Sequence, residues 1–186
     1  MKKFVLNINA IIKSMIISTY YVMFRRNVHM GKKMRIFKSV DLRLYKGACC
    51  RFGNSVKINK NALISVFNES DLLMGNNVAI GIANIIVCHK KISIGEGTIL
   101  GPNVLIYDHD HVFSNNEGVN HRDYITGEVV IGKNCWIGAG TIILKDTHIG
   151  DNCVIGAGSV VKGDYESGSV IIQKRERLDR GDDKND

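Results

Sequence analysis

The sequence predicts an all-β fold, a parallel β-helix of triangular section behind a helical amino terminus, and two regularities carry that reading. From Ile131 every sixth residue is aliphatic, at Ile137, Ile143, Ile149, Ile155 and Val161, with Gly132, Gly138, Gly150 and Gly156 directly behind. The glycine fails at every third step, at Val87, Tyr107, Leu144 and Lys162. Six residues are too few for a helix pair but suit a short strand and a turn, stacked as coils. A break at every third hexad means three strands per coil.

Residues 1–50 are read as a basic amino-terminal segment. On a helix, Phe4, Ile8, Ile11, Met15, Val22 and Phe24 gather near one side with Ile12 and Ile16 beside them, an amphipathic pattern. Asn7, Asn9, Lys13, Ser14, Ser18 and Thr19 interrupt the apolar run, so a full span, which wants about 20 mostly apolar residues, is not expected. The run into Tyr20, Tyr21, Phe24, Arg25 and Arg26 lacks the small residues of a cleaved signal. Two roles fit: an in-plane membrane anchor reinforced by Lys32, Lys33, Arg35 and Lys38, or a helix docked on its own domain or a partner subunit.

Residues 51–172 are expected to hold the β-helix domain. The frame runs earlier through Met74, Ile80 and Ile86, then Ile94, Leu100 and Ile106, and the eight-residue step between Ile86 and Ile94 suggests a small insertion at 92–93. The aliphatic column should point inward, with glycine supplying positive φ at the turns. The fifth slots hold Cys135, Thr141, Thr147, Cys153 and Ser159, which makes Cys135 and Cys153 small buried fillers rather than reactive thiols. Residues 112–130 are polar, lack the column and should protrude as a loop, where function commonly sits. Residues 173–186 form a charged tail.

The 186 residues, 45% hydrophobic, suffice for one domain with a core and exclude disorder. Residues 1–60 carry 14 Lys or Arg against one Asp or Glu, and residues 61–186 carry 11 against 17. An acidic body disfavours duplex nucleic acid as a partner, while the basic end suits an anionic membrane or glycan. Five cysteines without a CxxC spacing argue for reduced thiols and a cytoplasmic setting, peripheral on the membrane's inner face if the anchor reading holds.

This pattern, with "IYDHDHVF" before the loop and "IGKNCWIGAGTIIL" after it, resembles the hexapeptide-repeat acyltransferases over about residues 56–172. Within that family it looks like the maltose, galactoside and xenobiotic acetyltransferases and the capsule or lipopolysaccharide O-acetyltransferases. The resemblance implies left-handed coils, an exception to the right-handed crossover rule. It also implies a homotrimer with sites between neighbouring prisms, acetyl-CoA as donor and no required metal. The reading adopted is O-acetylation of a sugar hydroxyl of a bacterial surface polysaccharide or its precursor.

On that resemblance His111 stands at the catalytic histidine, where a neutral imidazole takes the acceptor proton. His109, on the same side of an extended strand, is its rival, and Asp108 and Asp110 either orient a ring or serve the turn. Asn84 falls where relatives carry an oxyanion donor, or it is a structural rung. Trp136 matches the tryptophan of the "WIG" motif, lining the acceptor or pantetheine channel or packing at an edge. Gly138, Ala139 and Ala157 match the pantetheine-binding backbone. Lys162 and Arg177, with Lys174 and Arg175, are phosphate candidates. From Ile171 the chain reads "IIQKRERL" where relatives carry Gly-x-Pro-Ala-Lys, a departure that falls on the phosphate site.

Rival readings remain. An amino-sugar N-acetyltransferase or a xenobiotic-type enzyme shares every feature above. A γ-class carbonic anhydrase-like metalloenzyme needs three histidines on zinc, with His89, His121 or His148 joining His109 and His111, but the spacing does not match. A non-catalytic solenoid would present a repeated ladder, and no Thr-x-Thr or aromatic ladder is read in the coils. Serine acetyltransferase needs a long helical domain before the prism, for which about 50 residues are too few.

Overall fold

The computed structural model describes residues 2–24 and 27–173. Three short strands make each coil, and coils stack in parallel, giving a left-handed β-helix with three faces. The first face stacks Val28–Met30, Cys49–Phe52, Asp71–Met74, Lys91–Ile94 and Glu128–Ile131. The second runs from Arg35–Ile36 through Lys57–Ile58, Ala79–Ile80, Ile99–Leu100, Trp136–Ile137 and Val154–Ile155 to Val170–Ile171. The third stacks Asp41–Leu44, Leu63–Val66, Ile85–Cys88 and Leu105–Tyr107. Two long strands, Ile142–Ile149 and Val160–Tyr165, then turn the edge from the third face to the first without a break.

The aliphatic frame lines the interior as expected. Ile36, Ile58, Ile80, Leu100, Ile137 and Ile155 form one buried column, and Ile64, Ile86, Ile106, Ile143 and Val161 another. The coils begin at Val28, well ahead of the expected boundary at residue 51, and residues 28–50 are ordinary turns of the prism. Early coils are longer than the hexad frame allows, since Cys50 pairs with Leu72 and Leu72 with Ile92. No insertion sits at 92–93: Ile92 is a buried strand residue paired with Val129, and the extra residues lie in the edge turn between Cys88 and Lys91. The expected loop at 112–130 is an antiparallel hairpin of His109–Ser114 with Gly118–Thr126, and the chain is back in the prism by Glu128.

The repeated glycines are needed for a reason other than φ. Those behind the aliphatic column are absent from the positive-φ residues, and the left-handed backbone falls mostly on polar residues two positions later, such as Asn77, Asn103, Asn134 and Asn152. A Cβ on Gly138 would lie 2.5 Å from the Ala157 nitrogen in the next coil. Glycine therefore lets coils approach to strand spacing. The fifth slot has a matching task. Thr98 Oγ1 donates to the Gly132 carbonyl (2.8 Å), Ser159 Oγ to Gly156 (2.7 Å), and the thiols of Cys135 and Cys153 to Gly150 and Glu166 (3.1 Å each). The cysteines are free, and burial raises the Cys135 pKa, as expected for filler.

The helix α1 (Lys2–Phe24) lies across the open end of the first coil. Ala10 and Ser14 are buried, Ile17 and Tyr21 pack on the core, Ser14 Oγ accepts the Ile36 N–H at 2.8 Å, and Lys13 donates to the Phe37 carbonyl at 3.2 Å. The docked-helix reading of the amino terminus holds for this face. Arg177, Lys174, Arg175 and the tail beyond residue 173 lie outside the described residues.

The close approach sets an expected outcome. Gly138→Val forces a branched side chain onto the Ala157 backbone and should lower stability by about 3 kcal/mol or more, read as a urea midpoint. Ala157→Val, on an exposed turn residue, should cost much less.

Candidate active site

The edge between the third and first faces is where this prism departs from a plain repeat. It carries longer turns in the early coils, emits the hairpin at residue 109, and closes to a continuous strand at Ile142–Ile149. One position on this edge is aromatic in four successive coils. Tyr45 stacks on Phe67 (4.7 Å between centroids, 13° between planes), Phe67 on His89 (4.0 Å, 20°), and His89 on His109 (4.0 Å, 46°). The sequence reading found no such ladder. Its members are 22, 22 and 20 residues apart, a spacing that a six-residue frame hides.

Asp108 is buried beneath this ladder. Its carboxylate accepts the backbone N–H groups of His89 (2.8 and 3.0 Å), Lys90 (2.7 Å) and Lys91 (2.9 Å), and faces His109 Nδ1 at 3.2 Å. Burial alone would raise its pKa, but the bonds from His109 and the backbone outweigh it and hold the carboxyl below its ordinary value. The edge turn after Cys88 thus serves to aim three N–H groups at one carboxylate. His109 is pinned in turn: one nitrogen is on Asp108, its ring meets His89 and Tyr124 (5.2 Å), and its side chain is only 12% exposed.

His111 sits two residues further along the strand, opposite Tyr124 in the hairpin, with ring centroids 4.7 Å apart. It is exposed, as is Asp110. Asp110 lies 3.9 Å from Lys145, which is bonded to Asp146 at 2.8 Å, and Lys162 is close enough to Asp146 to favour its charged form. The hairpin base therefore gathers His109, His111, Tyr124, Asp110, Lys145 and Lys162 at one edge.

The other candidates are elsewhere. Asn84 is fully buried inside the prism, where its Oδ1 accepts the Val104 N–H at 2.9 Å and its Nδ2 has no partner. A side chain sealed in the core cannot reach a reacting oxyanion, so the oxyanion role is withdrawn and Asn84 is a fifth-slot rung. Thr98, in the fifth slot at another edge of the prism, accepts the Cys135 N–H of its own next coil in the same way, at 3.0 Å. Trp136 is 60% exposed on the second face, paired with Ile99 and Val154. Gly138 is buried, with Ala139 and exposed Ala157 on the turn beyond that face. In a triangular prism the second face lies opposite the edge that bears His111, so one chain does not bring Trp136, Ala139 and Ala157 to Lys162 and the histidines. Among the described residues no group of three or more His, Cys, Asp or Glu is placed to hold a metal.

Comparison with known proteins agrees with this architecture. Residues 128–163 match the family model for the bacterial transferase hexapeptide (six repeats). Those residues carry the hexapeptide repeat. The chain is 29% identical over 99 residues to the bifunctional protein GlmU of Gloeothece citriformis (strain PCC 7424), and that match spans 53% of this chain but only a fifth (20%) of GlmU. Among solved structures it resembles AntD, an N-acyltransferase from Bacillus cereus solved with dTDP-4-amino-4,6-dideoxyglucose and coenzyme A. The TM-score is 0.65 at 19% identity, covering 84% of this chain and 86% of AntD. It also resembles the polySia-specific acetyltransferase NeuO, with TM-score 0.51, 23% identity and coverage of 83% and 78%. At these identities the likeness to the solved structures is one of fold.

Two outcomes follow. Asn84→Thr keeps an acceptor for the Val104 N–H and removes the orphan amide, so stability should stay level or rise by up to about 1 kcal/mol, with any catalytic rate unchanged; a large rate loss at unchanged melting temperature would restore a catalytic role. Burial, reinforced by His109 and His111, lowers the His89 pKa from 6.5 to about 4. The unfolded chain then binds the extra proton between about pH 6.5 and 4, so the stabilising contribution is full above pH 6.5 and fades toward pH 4. Urea midpoints should fall across that window, and His89→Phe, which keeps the stack, should flatten the fall.

Proposed function

We propose that this protein is an acyl-CoA-dependent acyltransferase that moves an acetyl group from acetyl-CoA to a sugar hydroxyl of a surface polysaccharide or its precursor. The observation that carries the reading is an exposed histidine at the base of the long hairpin that leaves the prism, beside a second histidine fixed on a buried carboxylate.

His111 is the general base because it is accessible. An acid–base group must reach the acceptor proton within hydrogen-bond distance, and the ring of His109 is closed in by His89, Tyr124 and Asp108. His109 is a positioning residue that fixes the strand on which His111 stands. In the reaction the His111 imidazole takes the proton of the acceptor hydroxyl as its oxygen attacks the thioester carbonyl carbon. The tetrahedral intermediate collapses with cleavage of the C–S bond, and the imidazolium returns the proton to the departing thiolate. The products are an acetyl ester and free CoA thiol.

Trp136, Ala139 and Ala157 enter this reading through a second copy. Since they stand opposite the His111 edge, a homotrimer with prisms side by side would set the hairpin of one protomer against the second face of its neighbour, and the donor would bind between them with Lys162 as a phosphate contact. AntD, whose solved complexes hold a dTDP-amino sugar and coenzyme A, supports a sugar acceptor and keeps N-acylation of an amino sugar as the second reading.

The test is release of thiol from acetyl-CoA in the presence of bacterial glycans and sugar nucleotides. His111→Ala should lower acceptor-dependent release by about 10²–10⁴-fold. Release that survives in His111→Ala and fails in His109→Ala would exchange their roles. Mild alkali should remove the product's acyl group if it is an ester and leave it if it is an amide. Co-assembled His111→Ala and Trp136→Ala protomers should recover about a quarter of wild-type activity if each site takes one residue from each copy, and none if both act within one chain.

A further inference from the structure

A helix that caps a solenoid is expected to be polar on its outer face, since that face meets water. The helix α1 is not. At 100° per residue the direction opposite Ala10, Ser14, Ile17 and Tyr21 falls on Val5, Ile8, Ile12, Met15, Ile16, Thr19 and Met23. Of these, Met15 is 65%, Ile16 66% and Met23 70% exposed, with Val5, Ile8 and Ile12 also open. No charged residue stands among them; Lys13, the one lysine within the helix's middle turns, is turned back to the Phe37 carbonyl. The helix thus has two apolar faces, and the coil end covers one.

The residues beside this face are basic. Lys32 and Lys33 line the groove along one flank of α1 together with Ile11 and Met15, and Lys38 and Lys60 line the other together with Leu6 and Asn9. All four lysines are exposed. Residues 1–40 hold nine Lys or Arg and no Asp or Glu. Two copies meeting through this end would oppose like charges, which is unfavourable at close range, whereas an anionic lipid surface offers both the apolar depth and the opposite charge.

We propose that the outer face of α1 is an in-plane membrane-docking surface, in which Val5, Ile8, Ile12, Met15, Ile16 and Met23 enter the headgroup boundary of an anionic bilayer and Lys32, Lys33, Lys38 and Lys60 contact lipid phosphates. Among the described residues no helix is long and apolar enough to cross a membrane, so the helix lies on the surface. Because α1 closes the amino-terminal end of the prism, docking is end-on and leaves the hairpin edge and the second face clear.

The experiment is co-sedimentation of the full chain with vesicles of equal parts phosphatidylcholine and phosphatidylglycerol, compared with phosphatidylcholine alone. Binding should require the anionic lipid and weaken between about 0.1 and 0.5 M salt. Ile12→Gln with Ile16→Gln should weaken it by about tenfold or more at an unchanged melting temperature, since both side chains are exposed. Lys32→Gln, Lys33→Gln and Lys38→Gln, which leave the helix packing intact, should cost about fivefold each. Absence of vesicle binding by the wild-type chain, or binding that neither set of substitutions alters, would overturn the proposal. So would a concentration-dependent mass in light scattering that the Ile12/Ile16 variant abolishes without any lipid binding, because a second copy would then be the occupant. None of these readouts involves acyl transfer, so the docking surface and the enzymatic reading stand or fall apart.

Discussion

Close parallel stacking of coils is the constraint on which everything else in this molecule rests. Each strand hydrogen-bonds to the strand one coil above and one below, so every interior position must suit its neighbours at strand spacing. At this distance a Cβ on Gly75 would lie 2.5 Å from the backbone nitrogen of Glu96, and a polar group in the fifth slot must find a backbone partner within its own or the adjacent turn. Thr98, Thr141 and Ser159 do so. The aliphatic columns then fill the space that remains.

Stacking holds the strands but tolerates variation at the edges, and one edge departs from the repeat. Where the third face meets the first, the turns at 45–48 and 67–70 are equal in length, the one at 89–90 is shorter, the hairpin leaves at residue 109, and above it the strand runs on unbroken. A rigid prism beneath a changing edge gives side chains of that edge fixed positions without burying them all. Asp108 is the anchor: four hydrogen-bond donors converge on a carboxylate with no exposure, a satisfied arrangement that favours its charged form. The ladder of Tyr45, Phe67 and His89 supports His109 from below, so the hairpin starts from a residue held on two sides.

Much of this was legible in the residues. The aliphatic period located the interior columns and the three-faced section, and the loss of the period after residue 111 located the protrusion. The repeated glycines serve a purpose other than the expected one, because a missing Cβ looks the same in a sequence whether it relieves φ or crowding between coils; the asparagines two positions later, at Asn77, Asn103 and Asn134, are the signal that separates the two. Residues 28–50 escaped because their longer coils, with Val28 paired to Cys50, fall out of step with a six-residue frame. Asn84 shows a different limit. Its slot is occupied by Val104 in the next coil and Thr141 beyond, which marks it as interior, but family position drew it toward chemistry. The burial of His109 beside the exposure of His111 could not be read, since two residues on one side of a strand differ only in what the neighbouring coil places against them.

The chain has one tryptophan, and the fold leaves its indole largely open on the second face. Its emission should therefore be that of a hydrated indole in the isolated chain, with every other aromatic side chain silent in the same window. Any surface that comes to cover the second face, whether protein or small molecule, must exclude water from that ring and move the emission toward the blue. The molecule thus carries its own optical reporter, one residue wide, on the face that stands across the prism from its histidines.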